Sequence, residues 1–157
     1  MDKVVIHTIE KSLSKIEEVN KIIFDNILRS QKTSATTLFL EGNLGAGKTT
    51  LTQVIGRTLG VTKPLTSPTY TIMNEYQANH DMFTKVTHMD LYRIETLWEL
   101  QEYNLETALL DPKTLFIIEW SKTAKDFFAN THCYQVDITG INQQSRTYTI
   151  SKLEQNN

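Results

Sequence analysis

Cysteine is almost missing from this chain. Cys133 stands alone, so no disulfide can form within the sequence, and a disulfide-stapled secreted scaffold is excluded. Its setting, CYQVDI, reads as a small buried hydrophobe and not as a reactive thiol. Proline and glycine are scarce, with three and six residues in 157, which excludes collagen-like and low-complexity chains. No apolar run approaches the ~18 residues of a membrane-crossing helix. The opening MDKVVIHTIEKS is not expected to act as a signal peptide, because its apolar stretch is short and no small-residue cleavage site follows. A cytoplasmic protein with no membrane association is expected. Basic charge is not in excess either. The formal net charge is −2, which argues against a freestanding nucleic-acid binder. Any service to RNA should therefore run through other proteins. His7, His80, His88 and His132 share no metal-ligand spacing with one another or with Cys133, so no zinc site is expected.

What remains is an ordinary globular composition, 39% hydrophobic and 22% charged, of a length that suits one domain over residues 1–157. Strands are expected at 4–9, 36–41, 70–77, 85–92 and 114–120, with closing strands in CYQVDI and RTYTISK. Helices are expected over 12–30, where Leu13, Ile16, Val19, Ile23 and Ile27 recur at helical spacing, and over 48–60, ending at Gly60. Ser14 followed by Glu17 resembles a capping box. Residues 95–110 read as one or two short helices, and KTAKDFF as helical. The run TLFIIEW is apolar throughout, as in a strand covered on both faces. Strands alternating with helices predict a three-layer α/β fold with a largely parallel central sheet.

One stretch carries chemistry outright. Gly42-Asn43-Leu44-Gly45-Ala46-Gly47-Lys48-Thr49 fits G-x-x-x-x-G-K-[ST], between a predicted strand and a predicted helix. The glycines allow backbone N–H groups to turn inward around phosphate oxygens. The helix that follows adds its unpaired N–H groups and positive dipole end. Lys48 reaches β- and γ-phosphates, and the Thr49 hydroxyl suits Mg²⁺, a hard cation that prefers oxygen. The fold predicted from this motif is that of the P-loop nucleoside triphosphatases, with backbone amides of residues 43–49 holding the triphosphate.

Such a loop needs acidic residues for the metal and the water. Glu119 ends the apolar strand LFIIE, and Asp90 ends the strand in THMDLYR. In a parallel sheet both strand ends open onto the phosphate crevice. Either acid can hold Mg²⁺ while the other orients water. In TSPTY, Pro68 stiffens a loop carrying the Ser67 and Thr69 hydroxyls. That loop is either a sensor of γ-phosphate and Mg²⁺ or a turn closed by its own hydroxyl bonds.

LEGNLGAGKTTLTQ, SPTYTIMNEY, HMDLYRIE and FIIEW occur in this order along the chain. Together they resemble the TsaE (YjeE) family, small ATPases of the bacterial machinery that makes threonylcarbamoyladenosine in tRNA. The resemblance spans about residues 36–120. It implies ATP binding with Mg²⁺ and weak hydrolysis by the protein alone. It also implies action with TsaB and TsaD, the pair that transfers the threonylcarbamoyl group, so that tRNA is met only through that complex. By the resemblance, Lys48 and Thr49 contact phosphate and Mg²⁺, and Thr50 also touches phosphate. Asp90 and Glu119 serve Mg²⁺ and the attacking water, and Thr69 is the switch-loop threonine. Trp120 packs over the site, faces a partner or belongs to the core; Arg93 meets a phosphate or pairs with Glu95. The chain departs from the family in two places. Ser121-Lys122 stands where Pro-Glu is usual, and Tyr103-Asn104 where a glycine usually precedes a short helix.

Three rival readings meet obstacles in the sequence. A non-catalytic scaffold that holds ATP structurally would not need Lys48, Thr49, Asp90 and Glu119 all intact. A small-molecule kinase would carry arginines in a lid, but the arginines are only Arg29, Arg57, Arg93 and Arg146, and SKTAKDFFANTH holds none. A GTP-driven switch would need an Asn-Lys-x-Asp reader late in the chain. Asn-Lys occurs only at 20–21, with Ile23 in place of the acid. Adenine is therefore the expected base.

Overall fold

The computed structural model describes residues 1–28, 32–122 and 124–155. Among these residues seven strands are interspersed with helices. β1 (Asp2–Ser12) leads through a 3-10 turn (Leu13–Lys15) into α1 (Ile16–Leu28). β2 (Thr36–Glu41) is followed by α2 (Lys48–Thr58). Next come β3 (Met73–Gln77), β4 (Lys85–Asp90), α3 (Leu97–Gln101), α4 (Glu106–Leu110) and β5 (Thr114–Glu119). A second 3-10 turn (Lys125–Phe128), β6 (His132–Gly140) and β7 (Ser145–Glu154) complete the series.

The strands form one sheet in the order β1-β7-β6-β2-β5-β4-β3. Its centre, β6-β2-β5-β4, is parallel throughout. Antiparallel pairs close both sides: β7 and β1 beyond β6, and β3 beyond β4. The alternation of strand side chains divides the core in two. Leu38 and Leu40 of β2 and Leu115 and Ile117 of β5 pack under α1 and α2, through Val19, Ile23, Leu51 and Ile55. Phe39, Phe116 and Ile118 pack on the opposite face with Leu100 of α3, Leu105 and Phe128. All six residues of β5 are buried, as the apolar run predicted. Each such large apolar side chain contributes about 1.5–3 kcal/mol on burial. Cys133 belongs to this second face; burial pushes its thiol pKa up, in keeping with a packing role.

Two local expectations need correction. The helix predicted over 12–30 begins its α-helical part at Ile16, after the 3-10 turn, and its last two predicted residues lie outside those described. Ser14 and Glu17 form no capping box: the Ser14 and Ser12 hydroxyls share a hydrogen bond of 2.9 Å, and Glu17 instead accepts from Arg57 of α2 at 3.0 Å. The capping box lies at α3, between Thr96 and Glu99. In KTAKDFF, residue 123 lies outside those described, and the helical turn covers Lys125–Phe128. α2 ends as the sequence suggested, with Gly60 N–H bonded to Arg57 O and Val61 N–H to Gly56 O, both at 3.0 Å. That is the pair of bonds with which a glycine closes a helix.

Candidate functional site

The glycine-rich segment 42–47 links β2 to α2 at the carboxyl end of the parallel strands. At Gly42 its backbone is packed too closely for a side chain. A Cβ at Gly42 would lie 2.8 Å from Ile138 O and 2.9 Å from the Ala46 Cβ. Gly47 enters α2 at φ +105°, a conformation that costs an L side chain strain. The turn is closed by Ala46 N–H to Asn43 O at 3.0 Å, and Arg146 of β7 braces it through Nε to Ala46 O at 3.3 Å.

Lys48 is buried despite its charge, with 6% exposure. Its ammonium donates to Gly42 O at 2.6 Å and Asn43 O at 3.2 Å. It also lies 4.5 Å from the centroid of the Trp120 ring, within cation–π range. Trp120 immediately follows β5 and turns the chain at φ +58°, and its ring meets Tyr92 edge-on at 5.5 Å. Of the three placements open to Trp120 in the sequence, the structure shows packing over the loop lysine.

The two acids come together by register. Asp90 ends β4 and pairs with Glu119, which ends β5. Both are buried, at 7% and 4% exposure, and each is held by donors. Asp90 Oδ1 accepts from Tyr92 N–H at 3.1 Å, and Oδ2 from the Thr69 hydroxyl at 3.3 Å. Thr69 in turn shares a 2.9 Å hydrogen bond with Ser67, and Ile72 O accepts the Asp90 N–H at 2.9 Å. The 67–72 loop is thus fastened to the end of β4 through Asp90. Glu119 Oε1 lies 3.0 Å from His88 Nε2.

These groups share one cleft of about 590 Å³, lined by residues 44–50, Ser67, Thr69, Asp90, Tyr92, Glu119 and Trp120. That size falls within the ~300–1,000 Å³ of small-molecule sites. The donor set suits a polyphosphate with a hard divalent cation: backbone N–H groups at a helix start, an ammonium, a threonine hydroxyl and two carboxylates. Asn43 lies apart, in a neighbouring groove between the loop and the β6–β7 hairpin that also includes Asp137–Asn142 and Arg146. Arg93 meets neither Glu95 nor the loop in the recorded contacts; its guanidinium carbon sits 5.5 Å from the Tyr70 ring centroid. Ser121, at the position of the usual proline, is buried and donates to Glu41 Oε1 at 2.5 Å. Asn104, at the position of the usual glycine, takes φ +51°, which asparagine tolerates better than most residues.

His88 was not singled out as a site residue from the sequence. Its signal was available, since it stands two residues before Asp90 on a strand and therefore on the same face. Its reach to Glu119 depends on how β4 and β5 align.

A family model described as "Threonylcarbamoyl adenosine biosynthesis protein TsaE" matches residues 11–148. Among curated relatives, the tRNA threonylcarbamoyladenosine biosynthesis protein TsaE of Nostoc sp. is 44% identical over 99 residues, covering 61% of this chain and 59% of that protein. The protein of the same name from Bacillus subtilis is 39% identical over 84 residues, covering 54% and 49%. The chain spans about half the length of these two relatives. The crystal structure of YdiB from Bacillus subtilis superposes with a TM-score of 0.65 at 23% identity, over 96% of this chain and 88% of that one. The α/β architecture is therefore that of a known P-loop fold.

Proposed function

The chain belongs to the TsaE family, and from that premise we propose that it is a single-domain, cytoplasmic P-loop ATPase serving threonylcarbamoyladenosine modification of tRNA. It binds ATP, hydrolyses it slowly alone, and drives turnover of a TsaB–TsaD pair that handles the tRNA. The observation that carries this reading is the convergence of Lys48, Asp90 and Glu119 on one cleft beside a glycine-rich helix entrance. Among the described residues no arginine lines the cleft, which weighs against a kinase lid and accords with slow hydrolysis in the absence of a partner.

Each residue has a part. Backbone N–H groups of residues 44–49 and the Lys48 ammonium bind the triphosphate tail, with Lys48 exchanging its loop carbonyls for phosphate oxygens. Thr50 adds a contact at the first turn of α2. Thr49 with Asp90 would hold Mg²⁺, which when bound would supply neutralising charge to the triphosphate tail. Glu119 orients the attacking water and accepts its proton. Thr69 couples the 67–72 loop to Asp90, so a partner that presses on the loop acts on the metal-side acid. Catalysis is then positioning and charge neutralisation in a partly enclosed cleft.

The test is steady-state ATP hydrolysis by the protein, with and without its cognate TsaB and TsaD, and with GTP as control. Slow turnover that rises many-fold with the pair and prefers ATP supports the proposal. Turnover unaffected by the pair removes the partner-driven role and leaves a nucleotide-binding P-loop protein.

A further inference from the structure

His88 is fully buried, at 0% exposure, on β4 between β5 and the edge strand β3. Its Nε2 lies 3.0 Å from Glu119 Oε1, and Nδ1 has no hydrogen-bond partner among the described residues. Among the described residues the carboxyl group is the imidazole's one polar contact. A carboxylate oxygen accepts, so against an ionised Glu119 the donor in this contact would be Nε2–H. The contact is diagonal: Asp90 is the residue directly abreast of Glu119, and His88 is abreast of Ile117. Burying a ring nitrogen without a partner costs free energy. An apolar side chain would fill the same space without that cost. What histidine adds is a single directed N–H, aimed at the acid that faces the cleft.

Glu119 also needs such a donor. It stands beside the Asp90 carboxylate in register, and Asp90 already takes the Tyr92 N–H and the Thr69 hydroxyl. No other side-chain donor to Glu119 is recorded among the described residues. The His88 contact is thus what ties the end of the Glu119 side chain, with its several rotatable torsions, to the sheet.

We infer that His88 is a positioning residue for ATP hydrolysis: its Nε2–H fixes Glu119 Oε1 and leaves Oε2 to the attacking water. This rests on the reading of Glu119 as the residue that orients water. The geometry is that of a donor behind a catalytic base, which sets the base's orientation without touching substrate.

The test compares H88L, H88Q, E119A and the double variant H88L/E119A in the full chain. It follows turnover with the partner pair and, separately, ATP affinity by calorimetry. H88L is expected to lower kcat about 10- to 100-fold with ATP affinity within about threefold of the parent. H88Q places an amide N–H near the Nε2 position and is expected to recover most of that loss. H88L in the E119A background is expected to add nothing. In the nucleotide-free protein, ¹⁵N spectra of the imidazole are expected to show the Nε2–H tautomer, with a resonance that moves in E119A. Parental turnover in H88L overturns the inference, as does an H88Q protein that binds ATP but is as slow as H88L, or an Nδ1–H tautomer. If H88L does not fold, H88Q and the tautomer decide by the same criteria. An E119A protein that hydrolyses ATP normally overturns the role of Glu119 itself, whatever His88 does. A slow E119A with a parental H88L overturns only the role of His88.

Discussion

Asp90 and Glu119 stand abreast at the carboxyl ends of adjacent parallel strands, with Asp90 tied to Thr69 on the loop side and Glu119 tied to His88 on the sheet side. Each of these two buried acids has its own hydrogen-bond partners, which offsets the cost of taking a polar group out of water. The different tethers also divide the labour: one acid is coupled to a loop, the other to the rigid sheet.

That division predicts separable defects. Glu119→Ala should retain ATP affinity and lose hydrolysis by roughly ten- to a thousandfold. Asp90→Ala should weaken ATP binding when Mg²⁺ is present and have little effect in EDTA. Calorimetry in both buffers, beside a phosphate-release assay, checks the pair. Normal hydrolysis by the Glu119 variant would remove it from the mechanism.

Lys48 is held by two loop carbonyls and faces the Trp120 ring. Lys48→Ala removes the one ammonium at the loop and should weaken ATP binding by about a hundredfold or more. The fold should survive, because the loop retains its own Ala46-to-Asn43 closure. A binding isotherm together with a thermal melt checks both halves of this expectation.

Gly42 tests the packing of the loop. A methyl group there would meet Ile138 O at 2.8 Å and the Ala46 Cβ at 2.9 Å, neither of which can yield as a flexible side-chain tip would. Gly42→Ala should destabilise the protein by about 1–3 kcal/mol and displace the phosphate loop from β6. Denaturant midpoints measure the first effect and ATP affinity the second. An unchanged midpoint would mean that the loop moves freely.

Asn104 tests the turn between α3 and α4. At φ +51° it fills a position that favours glycine, so Asn104→Gly should alter stability by only a few tenths of a kcal/mol. Asn104→Val should cost about 1–2 kcal/mol, because a β-branched side chain clashes in the left-handed region. The two denaturation curves should separate; superposed curves would show that the turn relaxes.

Much of this molecule was legible in its sequence, for local reasons. All seven strands could be expected from apolar runs and alternation. The glycine-rich turn between β2 and α2 was legible because its pattern lies in eight consecutive residues, Gly42 to Thr49. Strand and helix periods and the conformational freedom of glycine act over a few residues, so they leave a readable trace. The start of α1 and the location of the capping box were not legible. There, a tertiary partner won over the local pattern: Glu17 turns to Arg57, 40 residues away. The same holds for the flanking antiparallel pairs, since nothing within β1 says that it will lie beside β7.

The sequence by itself therefore determined that a strand, a glycine-rich turn and a helix would present N–H groups and a lysine, and that acids would end two further strands. Only the tertiary structure decided which side chains meet. Placing β4 and β5 in parallel register brought Asp90 beside Glu119, and His88 within 3.0 Å of it across 31 residues of chain. Register between distant strands is set by packing over the whole sheet, and no local pattern carries it.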